Sequence, residues 1–385
     1  MLSNYNSCVM IYLDYSANFP TSREVLDYLV DIETRFHGNC VSLHKEGKRS
    51  MEQYKKENSR LLSLFSLDEK EYEAVYTSSA SESNNLAIKG LFQSYLGFGR
   101  HILVSEFEHS STNAALGYLR EGYNADVQFV KTDSDGKMDL NDLERKIRED
   151  TILVCLSIVE SEAGAIQDYR KAIEICSRYQ NCHLLLDATQ AVGKIPLDIR
   201  NADMVSFTPH KYGGLIGTGI LLKKKDVILT PLIHGGNSVS LYRSSTAPLG
   251  LICSGVKATE LALEALPEHL KKVRSLQSYL VHELEKDSSV LINSNLEFPY
   301  ILNISVKGHK ASEIVEKLSE HDICISQKSA CSITNTPSKT IMSIYHDRER
   351  AMESFRISIS YLTEKRELEE FIETLRGIIH GKQES

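Results

Sequence analysis

Short apolar runs rich in β-branched residues recur through the first part of the chain, and polar turn residues separate them. Helical patterns lie between several of these runs, at residues 84–95, 140–149 and 169–179. This alternation predicts an α/β domain built on a mostly parallel sheet that helices cover on both faces. The seven predicted strands are residues 72–77, 101–105, 127–131, 152–159, 183–186, 204–208 and 219–222.

The pattern changes in the last third of the chain. One long helical stretch is predicted over residues 255–287, and it leaves the large domain. Strands and helices then alternate in short elements, which indicates a compact α+β unit. We therefore expect a large domain over residues 16–260 and a smaller one formed by residues 1–15 and 261–385. The predicted elements of the smaller domain are strands at 300–306, 323–326 and 354–360 and helices at 311–320, 339–344 and 364–379.

Composition narrows the functional classes. The 385 residues are 42% hydrophobic and 25% charged, which is typical of a globular protein with more than one core. No apolar run is long enough to span a membrane, and the polar N-terminus lacks a secretory signal, so a cytoplasmic protein is expected. The net charge of -8 argues against nucleic acid as a partner. Eight cysteines without a C-x-x-C pair, and histidines without an H-x-x-x-H pair, predict neither a disulfide framework nor a metal site.

Two predicted strands end on residues of opposite charge. The run at 184–186 is followed by Asp187, and the strand at 204–208 leads to Lys211 before a Gly pair. Ligands of doubly wound sheets bind beyond the carboxyl ends of strands. A lysine that forms a Schiff base and an aspartate that pairs with a protonated pyridine are the two groups that pyridoxal 5'-phosphate (PLP) chemistry needs. Taken singly, Asp187 also fits a helix N-cap and Lys211 a solvated surface charge.

Three further segments carry candidate chemistry. Small hydroxyl residues at 77–83 stand where a strand turns into a helix, which suits either phosphate binding or ordinary helix capping. Cys331 lies in a small, polar segment typical of a loop, where a buried structural cysteine is not expected. Alternation at 355–359 puts Arg356 opposite the apolar side chains, so its guanidinium is available for a carboxylate ligand or a structural ion pair.

The chain resembles the cysteine desulfurases of the class V aminotransferase family along nearly its whole length. The resemblance is closest to their long-loop subgroup, with a slightly shorter loop around Cys331, and it marks a divergent member. The strings that carry it are Tyr12-Leu13-Asp14-Tyr15-Ser16-Ala17, the stretch from Thr77 to Gly90, Glu108-His109, the run from Asp187 to Lys194, His210-Lys211-Tyr212-Gly213, His234-Gly235-Gly236, Arg243-Ser244-Ser245-Thr246, Ser329-Ala330-Cys331 and Phe355-Arg356-Ile357-Ser358.

The resemblance implies a PLP enzyme of fold type I. Such an enzyme takes sulfur from L-cysteine, leaves L-alanine and a persulfide on Cys331, and passes the sulfur to an acceptor protein such as an iron–sulfur scaffold or a thiolation factor. It also implies a homodimer. The implied roles are Lys211 as the Schiff-base lysine, Asp187 as the pyridine partner, His109 stacked on the ring, Gln190 and Ser161 at the ring oxygen, Ala80, Ser81, Thr208 and His210 around the phosphate, Thr246 at the phosphate of the neighbouring subunit, and Arg356 on the substrate carboxylate.

Several positions depart from the family pattern. Ser161 stands where family members commonly carry the ring-oxygen Asn, and Ser238-Val239-Ser240 replaces a Gln-Glu-Arg string. Two family glycines are Ser79 and Ser245. Two alternatives therefore stay open at this stage. One is a different PLP reaction, such as transamination or another amino-acid lyase activity, and the other is a catalytically silent scaffold.

Overall fold

The computed structural model describes residues 10–328 and 336–381. Its helices and strands alternate along most of the chain, with one π-helical turn at Leu86–Gly90 and a 3₁₀ turn at Pro209–Lys211. In chain order the elements are β1 Ile11–Tyr12, α1 Arg23–Arg35, α2 Lys45–Leu64, β2 Tyr72–Thr77, α3 Ala80–Asn85, α4 Leu91–Tyr95, β3 His101–Ser105, α5 Ser110–Tyr123, β4 Asp126–Val130, α6 Leu140–Lys146, β5 Thr151–Ser157, α7 Tyr169–Cys176, β6 His183–Asp187, β7 Met204–Phe207, β8 Gly219–Lys224, α8 Leu249–Glu264, α9 Leu266–Leu284, β9 Val290–Ile292, β10 Ile301–Val306, α10 Ala311–Glu320, β11 Ile323–Cys324, α11 Lys339–Tyr345, α12 Arg348–Glu353, β12 Ser354–Ser358 and α13 Lys365–His380.

A seven-stranded sheet forms the centre of the larger part of the molecule. Its strand order is β2-β8-β7-β6-β5-β3-β4, and only β8 runs antiparallel to its neighbours. The central strands are buried on both faces, as their continuous apolar runs require. The predicted α/β fold with a mostly parallel sheet of seven strands is confirmed, and the strand bounds differ from the predicted ones by at most two residues.

The prediction of one helix over 255–287 was wrong. Two helices occupy this part of the chain, α8 and α9, with Ala265 between them. Pro267 is the second residue of α9. Proline has no backbone N–H to donate, so it is tolerated in the first turn of a helix and disfavoured in the interior.

The rest of the described chain contains two small sheets. One has the strand order β12-β10-β9 and is antiparallel, while the other pairs β1 with β11 in parallel. Pairing between β1 and β11 joins the start of the described chain to its last quarter. The division into residues 16–260 on one side and 1–15 with 261–385 on the other stays a prediction. In the described ranges no helix has the length and apolar content needed to cross a membrane.

Candidate active site

Five parallel strands bring predicted residues to one edge of the large sheet. The segments after β2, β3, β5, β6 and β7 all leave the sheet at its carboxyl edge, where ligands of such sheets bind. One cavity of about 270 Å³ lies there. All of the predicted site residues except Thr246 and Cys331 line it. They are Ala80, Ser81, His109, Ser161, Asp187, Gln190, Thr208, His210, Lys211 and Arg356.

Asp187 is the last residue of β6, and its carboxylate is buried. One carboxylate oxygen accepts the backbone N–H of Thr189 at 2.9 Å, and the other accepts the side-chain amide of Asn84 at 2.9 Å. The Asn84 oxygen in turn accepts the hydroxyl of Ser206 at 2.5 Å. No Lys, Arg or His of the described chain forms an ion pair with Asp187. A buried carboxylate that only neutral groups hold favours a cationic ligand in the cavity.

Lys211 follows β7 through the short turn Pro209–Lys211. Its amine donates to the backbone carbonyls of Ser16 and Ala17 at 2.8 and 2.7 Å. These carbonyls come from the segment after β1, far away in sequence. The amine is thus held at the wall of the cavity and is not a solvated surface charge.

His109 caps the N-terminus of α5. Its Nδ1 accepts the backbone N–H of Ser111 at 3.1 Å, so a neutral ring carries its proton on Nε2. Burial lowers the pKa of His109, and the charge of Lys211 lowers it further against the opposing effect of Asp187. The ring is therefore a neutral donor through Nε2 at neutral pH.

Polar groups gather at one end of the cavity. The hydroxyl of Thr208 donates to the carbonyl of Thr218 at 2.8 Å, so Nδ1 of His210, also at 2.8 Å, is the donor in their contact. Burial, with the charges of Lys211 and Lys194, lowers the pKa of His210 to about 4. The backbone at Gly219 lies so close to the backbone at Ser79 that a Cβ on Gly219 would be 2.2 Å from the carbonyl carbon of Ser79.

Arg356 is nearly fully buried on β12 and faces the same cavity. Its Nη2 forms an ion pair with Asp14 at 3.0 Å, and its Nη1 donates to the carbonyl of Ser161 at 2.8 Å. Its Nε is buried and has no hydrogen-bond partner in the described part of the chain. The structural ion pair and a free donor for a ligand thus occur in the same side chain.

Two predicted residues lie elsewhere. Thr246 is exposed and does not line the cavity of its own chain. Cys331 lies outside the described residues. The described residues nearest to that segment, Lys328 and Thr336, are in contact, because the Lys328 amine donates to the Thr336 hydroxyl at 2.8 Å.

The structure also brings residues to the site that the sequence analysis assigned no role. Asn84 and Asp14 stood in the family strings, but their contacts with Asp187 and Arg356 join parts of the chain that are far apart. Glu108 is a third case. It is buried beside His109 and accepts hydrogen bonds from Ser105 and Ser157. Burial raises the pKa of the Glu108 carboxyl to about 7.

Comparisons with known proteins identify the family and the fold. The sequence model of the family "Aminotransferase class-V" matches residues 11–371. The cysteine desulfurase IscS of Buchnera aphidicola is 34% identical over 385 residues, covering 97% of this chain and 94% of that protein. A solved NifS-like protein superposes with a TM-score of 0.89 at 28% identity and covers 97% of this chain and 100% of its own. A structure described as SspA in complex with cysteine superposes with a TM-score of 0.78 at 27% identity over 91% of this chain and 98% of its own. This chain belongs to the class-V aminotransferase family, among the cysteine desulfurases that it resembles over nearly its full length.

Proposed function

We propose that this member of the cysteine desulfurase family removes sulfur from L-cysteine with PLP, leaving L-alanine and a persulfide on Cys331. The observation that carries the proposal is the common cavity of Lys211, Asp187 and Arg356. It combines an amine, an anion without a cationic partner in the described residues, and a guanidinium donor. An amino-acid substrate and its cofactor need these three groups together.

The residues present fit PLP. Asp187 would pair with the protonated pyridine nitrogen, and Lys211 would hold the cofactor covalently. Ala80, Ser81, Thr208 and His210 would surround the phosphate, where backbone N–H groups at the start of α3 supply donors. The hydroxyls of Ser16 and Thr189 lie in the cavity wall and are buried without a hydrogen-bond partner in the described residues. Buried polar groups are normally hydrogen-bonded, so these two hydroxyls favour a polar ligand in the cavity.

When bound, PLP supplies an electron sink that makes the α-proton of an amino acid acidic. The chain supplies the rest. Lys211, once exchanged for the substrate amine, would move the α-proton through its Nζ, which the Ser16 and Ala17 carbonyls keep at the cavity wall. His109 is placed to donate from Nε2. Arg356 would bind the substrate carboxylate with its uncommitted Nε, while Asp14 fixes the orientation of the guanidinium.

Cys331 would take the sulfur as a thiolate. A bond forms between its Sγ and the sulfur of the substrate, the carbon–sulfur bond breaks, and the β-carbon gains a proton to give alanine. Only the thiolate form of Cys331 is a strong nucleophile, so the thiol has to lose its proton before it attacks the sulfur. The contact between Lys328 and Thr336 fixes the two described ends of this segment close to each other.

We further propose a homodimer in the cytoplasm that passes its sulfur to an acceptor protein. Thr246 is exposed in its own chain, as a residue that completes the phosphate site of a second copy would be before assembly. The segment that carries it is tied to the start of α3, since Arg243 pairs with Glu82 at 2.5 Å. The acceptor would be an iron–sulfur scaffold or a thiolation factor.

The test is to measure sulfide and alanine released from L-cysteine by PLP-loaded protein in the presence of a thiol reductant. Equal amounts of both products are expected. Cys331→Ser should release neither, and it should keep the visible absorption of bound PLP. Lys211→Ala should lose that absorption. A protein that binds PLP and releases alanine without sulfide, or neither product, would contradict the desulfurase function and favour another PLP reaction. A wild-type protein that takes up no PLP would favour the silent scaffold.

A further inference from the structure

A buried lysine beside the site has no role in the function proposed above. Lys194 is 4% exposed and lies four residues after Gln190. Its amine donates to the Gln190 side-chain oxygen at 2.8 Å. Within the described chain it has no carboxylate partner. Burial lowers the pKa of Lys194 well below its usual value, and the charges of Lys211 and Arg356 lower it further. Burying an amine without an ion pair costs free energy, and the only side-chain contact of this amine among the described residues is the Gln190 amide.

The contacts of Gln190 determine the orientation of its amide. The oxygen accepts from Lys194, and the nitrogen donates to the carbonyl of Ser16 at 3.0 Å. If the amide were turned over, its NH₂ would face the Lys194 amine and its oxygen would face the Ser16 carbonyl. The Ser16 contact would then join two acceptors, and the contact with the protonated Lys194 amine would join two donors. An amide nitrogen carries two hydrogens, so one N–H of Gln190 remains for the cavity that it lines.

We propose that Lys194 is a positioning residue for the cofactor: by binding the Gln190 oxygen, it directs the free N–H of that amide at the ring oxygen of PLP. The proposal rests on the proposed function and on the role that the family resemblance implies for Gln190, which is a contact with this ring oxygen. A donor at that place favours the ionised ring oxygen, whereas an amide oxygen would repel it. The Ser16 carbonyl accepts hydrogen bonds from both Gln190 and Lys211. It therefore connects the Gln190 amide to the lysine that would hold the cofactor.

Lys194 lines a second cavity, which has a volume of about 260 Å³. Lys211 lines both this cavity and the one that contains the predicted site residues. The second cavity gives room for a longer side chain at position 194, so Lys194→Arg can keep a donor near Gln190. Lys194→Met keeps the length of the side chain and removes the donor. The two variants therefore separate the hydrogen bond from the packing.

The experiment compares PLP-loaded wild-type protein with Lys194→Met and Lys194→Arg. The readouts are the dissociation constant of PLP and the share of bound cofactor with an ionised ring oxygen, taken from its absorption bands. Lys194→Met should bind PLP roughly tenfold more weakly, as loss of one hydrogen bond predicts, with a smaller ionised share. Lys194→Arg should restore most of both. Lys223→Met is the matched control, because Lys223 is also buried but pairs with Glu73 away from the cavity.

A double variant tests whether Lys194 acts through Gln190. In a Gln190→Ala background, Lys194→Met should change neither PLP affinity nor the absorption bands further. Wild-type values in Lys194→Met, or an equal additional loss in the double variant, would overturn the proposal. If Lys194→Met does not fold, Lys194→Ala, which enlarges an existing cavity, provides the same comparison. A wild-type protein that binds no PLP overturns the proposed function and this inference together, whereas a yellow Lys194→Met with wild-type bands overturns the inference alone.

Discussion

Asn84 holds Asp187 in place, and its replacement by leucine should weaken both the fold and cofactor binding. The side chain is 1% exposed and makes three contacts. It donates to Asp187 at 2.9 Å and to the Ser111 hydroxyl at 3.2 Å, and it accepts from the Ser206 hydroxyl at 2.5 Å. Leucine has a similar size but can neither donate nor accept a hydrogen bond.

The magnitude follows from the groups left behind. In Asn84→Leu the buried Ser206 hydroxyl and one oxygen of the buried Asp187 carboxylate lose their partners. Each unsatisfied buried group costs about 1–3 kcal/mol, so the free energy of unfolding should fall by about 3 kcal/mol. A less well-fixed Asp187 should also weaken PLP binding by roughly tenfold, the equivalent of one hydrogen bond.

The assay is urea unfolding of the PLP-free protein, followed by circular dichroism, together with titration of PLP into the folded protein. Asn85→Leu is the control, because Asn85 is the next residue of α3 and its amide makes a solvent-exposed bond to the Ser81 carbonyl. It should change stability by less than about 0.5 kcal/mol. Equal stability and PLP affinity of the two variants would refute the role given to Asn84.

Three more predictions address the pH dependence, the substrate and the dimer. Burial raises the pKa of Glu108 from 4.5 to about 7, so the contribution of Glu108 to stability falls as the pH rises between these values. Glu108→Gln should remove this fall. If unfolding curves at pH 5 and pH 7 shift equally in the wild-type protein and the variant, the prediction is wrong. Arg356→Lys should raise the KM for L-cysteine roughly tenfold or more with a smaller change in kcat, measured by alanine release, since the planar fork is lost. Thr246→Ala should weaken PLP binding in its own homodimer. When it is mixed with Lys211→Ala, each heterodimer has one site that carries both substitutions and one that carries neither, so half of the sites should bind PLP with wild-type affinity in a titration; a mixture without such sites would contradict the role in the second copy.

The residues at the ends of strands could be predicted from the sequence. Asp187 and Lys211 each follow a short, buried run, and the parallel sheet brings the ends of such runs to a single edge. The physical signal is local: a polar residue of a chemically useful type next to an apolar strand. The family strings added roles to these positions, and the cavity brings those roles together.

Contacts between distant parts of the chain could not be predicted in the same way. The ion pair of Asp14 with Arg356 joins residues 342 positions apart, and no periodicity encodes it. The orientation of Gln190 is another example, since it depends on the carbonyl of Ser16. The break between α8 and α9 was missed because the apolar pattern continues across it and only Pro267 marks the new helix.

The segment around Ser161, which departs from the family pattern, contacts both Arg356 and α11. Ser161 still lines the cavity, and its carbonyl accepts from Arg356. On either side of it, Glu160 accepts the hydroxyl of Thr340 at 3.2 Å, and Glu162 accepts that of Ser338 at 2.5 Å. Both hydroxyls belong to the start of α11, the first helix after Cys331 in sequence.

These buried carboxylates bear on the choice between an enzyme and a silent scaffold. Burial and the charge of Glu162 raise the pKa of Glu160, so keeping both carboxylates ionised at this place lowers the stability of the fold. Here the two carboxylates attach α11 to the wall that carries Ser161 and, through the Ser161 carbonyl, to Arg356. The run Glu160-Ser161-Glu162 therefore links the first helix after Cys331 in sequence to the group proposed to bind the substrate carboxylate, which favours an active enzyme over a silent scaffold.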